Sequence, residues 1–273
     1  MMRTAPFRAL VGRSFARTAA VFAVVAWILA GFQVLLVLVA RSFVETRSFD
    51  VLSSLMPMNL QQSLGPGALV LASFPGLVTF GYFHPIVVLA VLQTGAFIAT
   101  EPAGEIEWGL FDLELSRPLA RHWIVTRSLL LALGLSSALV AAMALGTWLG
   151  LVGFAPAGAT WPAAANVASL AAHLVFLAWT FAALGLAVAT FVRRRGTAFA
   201  LVGMAVVVLY LLNFLSDVWA PARRIRWLSP FHYFPGFAVA NGTAPTFHDL
   251  SILAIPTLVL SALAYWRFAR RDL

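Results

Sequence analysis

EPAGEIEWGLFDLELSRPLAR, residues 101–121, is a charged island in the middle of an apolar chain. Five of the ten acids, Glu101, Glu105, Glu107, Asp112 and Glu114, fall inside it. Residues 51–100 before it and 128–192 after it contain no Asp, Glu, Lys or Arg. A charge at the centre of a bilayer costs about 2.5–3.5 kcal/mol even on the lenient insertion scale. The island therefore belongs at a membrane surface, and the uncharged stretches on either side are the ones that cross.

Composition leads to the same class. The chain has 273 residues, 62% of them hydrophobic and only 10% charged, with mean hydropathy +0.92. Soluble domains carry about 25% charged residues, so the expected fold is all-α and polytopic, one membrane domain over residues 1–273. The net charge of +8 comes entirely from arginine, because there is no lysine. These arginines flank apolar spans, the pattern of the positive-inside rule rather than of a nucleic-acid surface, and no nucleic-acid partner is expected. Cysteine is absent, which excludes disulfides and thiolate chemistry. The first apolar run, 19–40, is longer than a signal-peptide core and lacks a small-residue cleavage site, so it is expected to stay as a span.

About 20 apolar residues are needed per crossing, and six spans are expected at about 19–40, 82–100, 124–152, 166–192, 197–215 and 250–267. Residues 1–17, with Arg3, Arg8, Arg13 and Arg17 among apolar side chains, suit either a surface helix or a basic flank of the first span. Residues 67–80 read as a re-entrant or outer-surface segment, or as part of a long second span. With one crossing between Asp50 and Glu101, 13 of the 18 arginines fall on the side of the termini and of the island. Two crossings there would reverse the bias, so six spans with both termini cytoplasmic is the better topology. Gly196, after Arg193–Arg195, is expected to turn a tight hairpin through a positive φ. The aromatic-rich stretch 216–249 is expected to lie at the headgroup level, where Trp and Tyr rings collect.

Several chemistries are excluded. A P-loop needs a lysine, and the chain has none. The five histidines show no HExxH or other metal-ligand spacing, and no GxSxG elbow occurs. The spans carry no acid at mid-depth for an aspartyl protease or a carboxylate proton relay. No catalytic, cofactor-binding or metal-binding set is expected. The remaining polar residues within spans, Gln33, Gln93, His173 and Asn213, either line a pathway or hydrogen-bond a neighbouring helix.

Read as one helix, the island puts Ile106, Leu110 and Leu113 on one stripe and Trp108, Phe111 and Leu115 on nearly the opposite one, with Gly109 as the point where the helix would break. Two apolar sides imply two packing partners: the chain's own helix ends and another protein. Residues 107–121, EWGLFDLELSRPLAR, resemble the cytoplasmic loop of type-2 ABC transporter permeases. Glu107, Gly109, Asp112, Leu113, Leu115, Ser116, Pro118 and Arg121 match that family's pattern, while Leu110, Glu114 and Ala120 depart from it. Leu228-Ser229-Pro230-Phe231 is similar to the family's outer-surface segment. The resemblance implies the membrane-spanning half of an exporter in the bacterial plasma membrane, contacting membrane lipid and paired with a second permease subunit, identical or not. It also implies an ABC ATPase subunit that carries ATP and Mg, while this chain binds no cofactor. Glu101, Glu105, Glu107, Trp108, Gly109, Phe111, Asp112, Leu113, Leu115, Pro118 and Arg121 would then form the coupling helix, and residues 1–17 a surface elbow. The alternative is a membrane-embedded anchor or assembly factor that transports nothing.

Overall fold

The structure is a computed structural model that describes residues 5–46, 73–109, 122–244 and 246–270. It is helical throughout, with no strand among the described residues. Among the described residues, six stretches are long and apolar enough to cross a membrane. They are α1 (Ala5–Glu45), α2 (Phe74–Phe80) continued by α3 (Pro85–Ala99), α5 (His122–Phe154), α6 (Ala164–Phe191), α7 (Arg195–Val218) and α10 (Thr246–Ala269). Between them lie α4 (Glu101–Glu107), α8 (Ala220–Ile225) and α9 (Gly236–Ala240).

Residues 5–17 do not form a separate surface helix. They run without a break into the first span, because nothing there ends a helix and Pro6 sits in its first turn, where its missing N–H costs nothing. The resulting 41 residues extend about 60 Å, twice the hydrocarbon thickness. The second crossing is interrupted. Ser73 caps α2 by accepting from the Gly76 N–H at 3.2 Å, and the chain turns at Gly81–Phe83 before Pro85 starts α3. The residue before a proline avoids the helical region, and His84 is extended at φ −60°, ψ 126°. The described part of the 67–80 segment is thus a helix, packed on Val37 and Ala40 of α1 and Leu151 of α5.

Close packing comes from small residues, as expected where lipid removes the hydrophobic drive between helices. Gly146 of α5 lies on the Ala30 backbone of α1, where any Cβ would collide, and Gly150, one turn on, faces Val34 and Val37. Gly95 of α3 faces Ala182 of α6, and Gly185 of α6 faces Ala96 and Ala99. With α3, α5, α7 and α10 all against it, α6 is the central helix and α7 the most exposed of the spans.

Two further expectations need correction. The α6–α7 connection is short, but Gly196 is not its pivot: it sits inside α7 and is not among the glycines with positive φ. The turn is made by extended residues, with Val192 at φ −104°, ψ 160° and Arg194 at φ −117°, ψ 128°. The aromatic stretch after α7 does not lie flat at a surface. Phe231, Phe234 and Val239 enter the main core, where the Phe231 ring packs on Phe181 of α6 and Tyr210 of α7 at 5.5 and 5.4 Å between centroids. Trp219 and Trp227 keep the exposed position expected for an interfacial belt, as do Phe237 and Phe247.

Candidate functional site

The charged island begins at the end of the bundle where α1 starts and α10 finishes. Here α4 follows α3 directly through Thr100, and Glu101 and Glu105, one turn apart, face inward. Both are buried, at 5% and 3% exposure, against the fully buried Arg127 of α5. The Arg127 guanidinium donates to both Glu105 oxygens in a fork, at 2.7 and 2.8 Å, and lies 3.8 Å from the Glu101 carboxylate. A planar fork on a carboxylate is the strongest ion-pair geometry available to side chains. Buried pairs of this kind stabilise little relative to apolar packing, yet breaking one by removing a partner costs about 3–5 kcal/mol.

A second brace runs from α4 to α7. The exposed Glu107 accepts from the backbone N–H of Arg195, the first residue of α7. That N–H is one of four that a helix start leaves unpaired, and a carboxylate there also opposes the helix dipole favourably. The Arg195 side chain returns to α3, donating to the Phe97 carbonyl at 2.7 Å with its guanidinium 4.0 Å above the Phe97 ring. Its methylenes pass over Gly104, where a Cβ would sit 3.1 Å away. Four helices, α3, α4, α5 and α7, are thereby tied at one point. A cavity of about 210 Å³ remains beside it, between Arg17 of α1, Trp108 and Arg195.

The structure therefore turns Glu101 and Glu105 inward, onto Arg127, and leaves Glu107, Trp108 and Gly109 exposed. Trp108 is 79% exposed and marks the end of α4, and Gly109 follows in the left-handed region at φ +65°. A single helix over the whole island is therefore excluded: the break falls at Gly109. Phe111, Asp112, Leu113, Leu115, Pro118 and Arg121 lie outside the described residues. Sequence reasoning missed Arg127 and Arg195 as members of this site. The available signal was Arg127 itself, a lone charge just inside an otherwise apolar span, for which the nearest acids upstream were the obvious counter-ions.

The four polar span residues are not brought together. Gln33 is fully buried beside the Gly81 turn, its Oε1 3.5 Å from the Thr147 hydroxyl, which is in turn 3.1 Å from the Tyr82 hydroxyl. Gln93 faces Gly203 across the α3–α7 contact. His173 places Nδ1 2.7 Å from the Ser169 carbonyl, which only accepts, so that nitrogen carries the proton. Its ring stacks on Phe234. Asn213 faces a cavity. That cavity, about 710 Å³, lies at the opposite end of the bundle between α3, α7, α10 and the aromatic segment inserted into the core after α7 (residues 226–240). Asp217, Arg226, His232, His248 and Asp249 line it together with Tyr210, Phe231 and Tyr233. Burial, and then the neighbouring Arg226, push the His232 imidazole below its ordinary pKa, against a smaller pull from Asp249 and Asp217.

No curated protein and no solved structure matches the chain. The family model described as ABC-2 family transporter protein matches residues 19–273, which takes in the first apolar stretch from residue 19 and the other five whole. Six crossing-length helices, with a charged island braced onto their ends after the second of them, are what a multi-pass permease requires, and the chain belongs to the ABC-2 transporter family.

Proposed function

We infer that the chain is the membrane-spanning subunit of an ATP-driven exporter and that residues 101–121 couple it to a separate ATP-hydrolysing subunit. The observation that carries this reading is the brace at α4. A contact surface that moves a membrane bundle has to be tied to several of its helices, and α4 is tied to α3, α5 and α7 by charge-assisted bonds. Glu101, Glu105 and Arg127 then serve as positioning residues, while Glu107, Trp108 and the island residues that follow present the surface. The arginine bias puts this end and both termini in the cytoplasm. A second permease subunit, identical or not, completes the path, and ATP and Mg belong to the partner. With no lysine available for a P-loop, turnover depends on that partner.

The test is co-purification of the ATPase subunit alongside membrane abundance of the permease. Trp108→Ala and Phe111→Ala should each weaken docking by about 2 kcal/mol or more, if each fills a pocket as interface aromatics do, which is over tenfold in affinity. Abundance should stay near normal for Trp108→Ala, since Trp108 is 79% exposed. Unchanged partner binding and unchanged coupled ATPase activity in both variants would leave the anchor or assembly role as the better reading.

A further inference from the structure

The far-end cavity carries chemistry that the coupling role does not use. Its volume, about 710 Å³, is within the range of small-molecule sites, typically 300–1,000 Å³. Aromatic rings form much of its wall: Phe83, Tyr210, Phe214, Phe231, Tyr233 and Phe237. Several are held edge-on to one another, Phe83 on Phe237 at 4.9 Å and Tyr210 on Phe231 at 5.4 Å. Two carboxylates share the lining. Asp217 is exposed and makes no ion pair among the described residues, whereas Asp249 is 6% exposed and pairs with the exposed His248, at 3.1 Å. One arginine, Arg226, faces the same space from an exposed position.

We propose that this cavity binds amphipathic organic cations: a single positive charge, as in a quaternary ammonium or phosphonium, on an aromatic or alkyl body. Aromatic faces attract a cation electrostatically, more strongly when it is desolvated. A nearly buried carboxylate in an apolar wall is costly without a counter-charge, and a bound cation supplies one. The two acids outweigh the one arginine, so an anion of the same shape is disfavoured. A neutral ligand would bring Asp249 no added counter-charge. The site rests on the permease reading only for the claim that such a cation is cargo. Binding itself needs no partner subunit.

The experiment is equilibrium dialysis of the full chain in nanodiscs against tetraphenylphosphonium and tetraphenylborate, ions matched in size and opposite in charge, with empty nanodiscs subtracted. Saturable binding of the cation and none of the anion is expected. Asp249→Asn and Phe231→Ala should each weaken cation binding by about tenfold. Asp217→Asn, at an exposed position with no ion pair to lose, should weaken it less, and it keeps the test sound if the buried variants unfold. Equal binding of both ions, or no saturable binding of either, overturns the proposal in the unmodified chain. So does Asp249→Asn in a folded protein with unchanged affinity. Dodecyltrimethylammonium should displace the probe. Equal displacement by dodecylphosphocholine, which carries the headgroup of a bilayer lipid, would assign the cavity to lipid and also overturn it. Because no ATPase is present, failure here leaves the docking test above untouched, and the reverse holds.

Discussion

The two ends of this bundle are held by different forces. At the α4 end, Arg127, Glu105, Glu107 and Arg195 tie four helices through short, directional, charge-assisted bonds. At the far end, the inserted segment is held by ring packing and by few hydrogen bonds, among them Ser229 Oγ donating to the Leu209 carbonyl at 2.8 Å. The fork-shaped ion pair fixes both distance and angle between α4 and α5. Ring contacts tolerate sliding and leave a cavity of about 710 Å³ beside them. On the coupling reading proposed above, the division suits a lever at one end and a deformable opening at the other.

The largest expected effect lies at the lever. Arg127→Ala leaves Glu105 and Glu101 buried without their cation and should cost about 3–5 kcal/mol of stability, read as a fall in folded, monodisperse protein on heating. Replacing the whole cluster, as Arg127→Met with Glu105→Leu and Glu101→Gln, should recover most of that stability, because apolar packing of similar volume is often as good as a buried pair. Partner-coupled ATPase activity should stay low in the replaced protein, since the brace that fixes α4 is gone. Normal coupling in the triple variant would break the contrast between the two ends.

A smaller effect is expected at the opening. At Gly236 an added Cβ would press into the Phe83 ring. Gly236→Ala should therefore destabilise by about 1–3 kcal/mol, toward the lower end because Phe83 borders the cavity and has room to move. Gly134→Ala in α5 is the matched control, since nothing lies within 4 Å of its would-be Cβ. There the change should stabilise by about 0.5–1 kcal/mol through helix propensity alone. Equal thermal shifts in the two variants would show that the inserted segment is not packed against the Gly81–Phe83 turn.

The six crossings were legible because lipid excludes charge, so gaps such as 51–100 and 128–192 mark spans without any tertiary knowledge. Helix ends were less legible. Hydropathy locates the hydrocarbon boundary, while a helix such as α1 continues past it for as long as no residue stops it. The inserted segment misled for a related reason. Phe231, Tyr233 and Phe234 suit a headgroup belt and a ring-packed core equally well, and only Phe181 and Tyr210, far away in sequence, decide between them. At the island, the acidic cluster and its surface position were readable. That Glu101 and Glu105 turn inward depended on Arg127, 22 residues beyond Glu105, and on the way α5 folds back against α4. Charge pairing across such a turn is a property of packing, which local sequence does not encode.

The smallest effect concerns pH at the opening. His232 has its pKa lowered from 6.5, first by burial and then by Arg226, with Asp249 and Asp217 acting in the opposite direction. The folded chain therefore takes up this proton at lower pH than the unfolded chain does. Between the two pKa values the unfolded state holds more protons, so stability rises with pH across that window. The contribution of His232 is fully present above pH 6.5 and is lost as the pH falls below it. Protonation also sets His232 against Arg226, which should loosen the inserted segment rather than α4. His232 is only partly buried, so the shift should be slight. The measurement is the difference in thermal midpoint between the native chain and His232→Gln, taken from pH 7.5 down to 5. That difference should open only below about 6.5, with the native chain the more acid-sensitive of the two. Hydrogen exchange at residues 226–240 should quicken over the same range while α4 stays protected. Parallel curves for the two proteins would mean that the opening does not sense this proton, and the contrast between the ends would rest on packing alone.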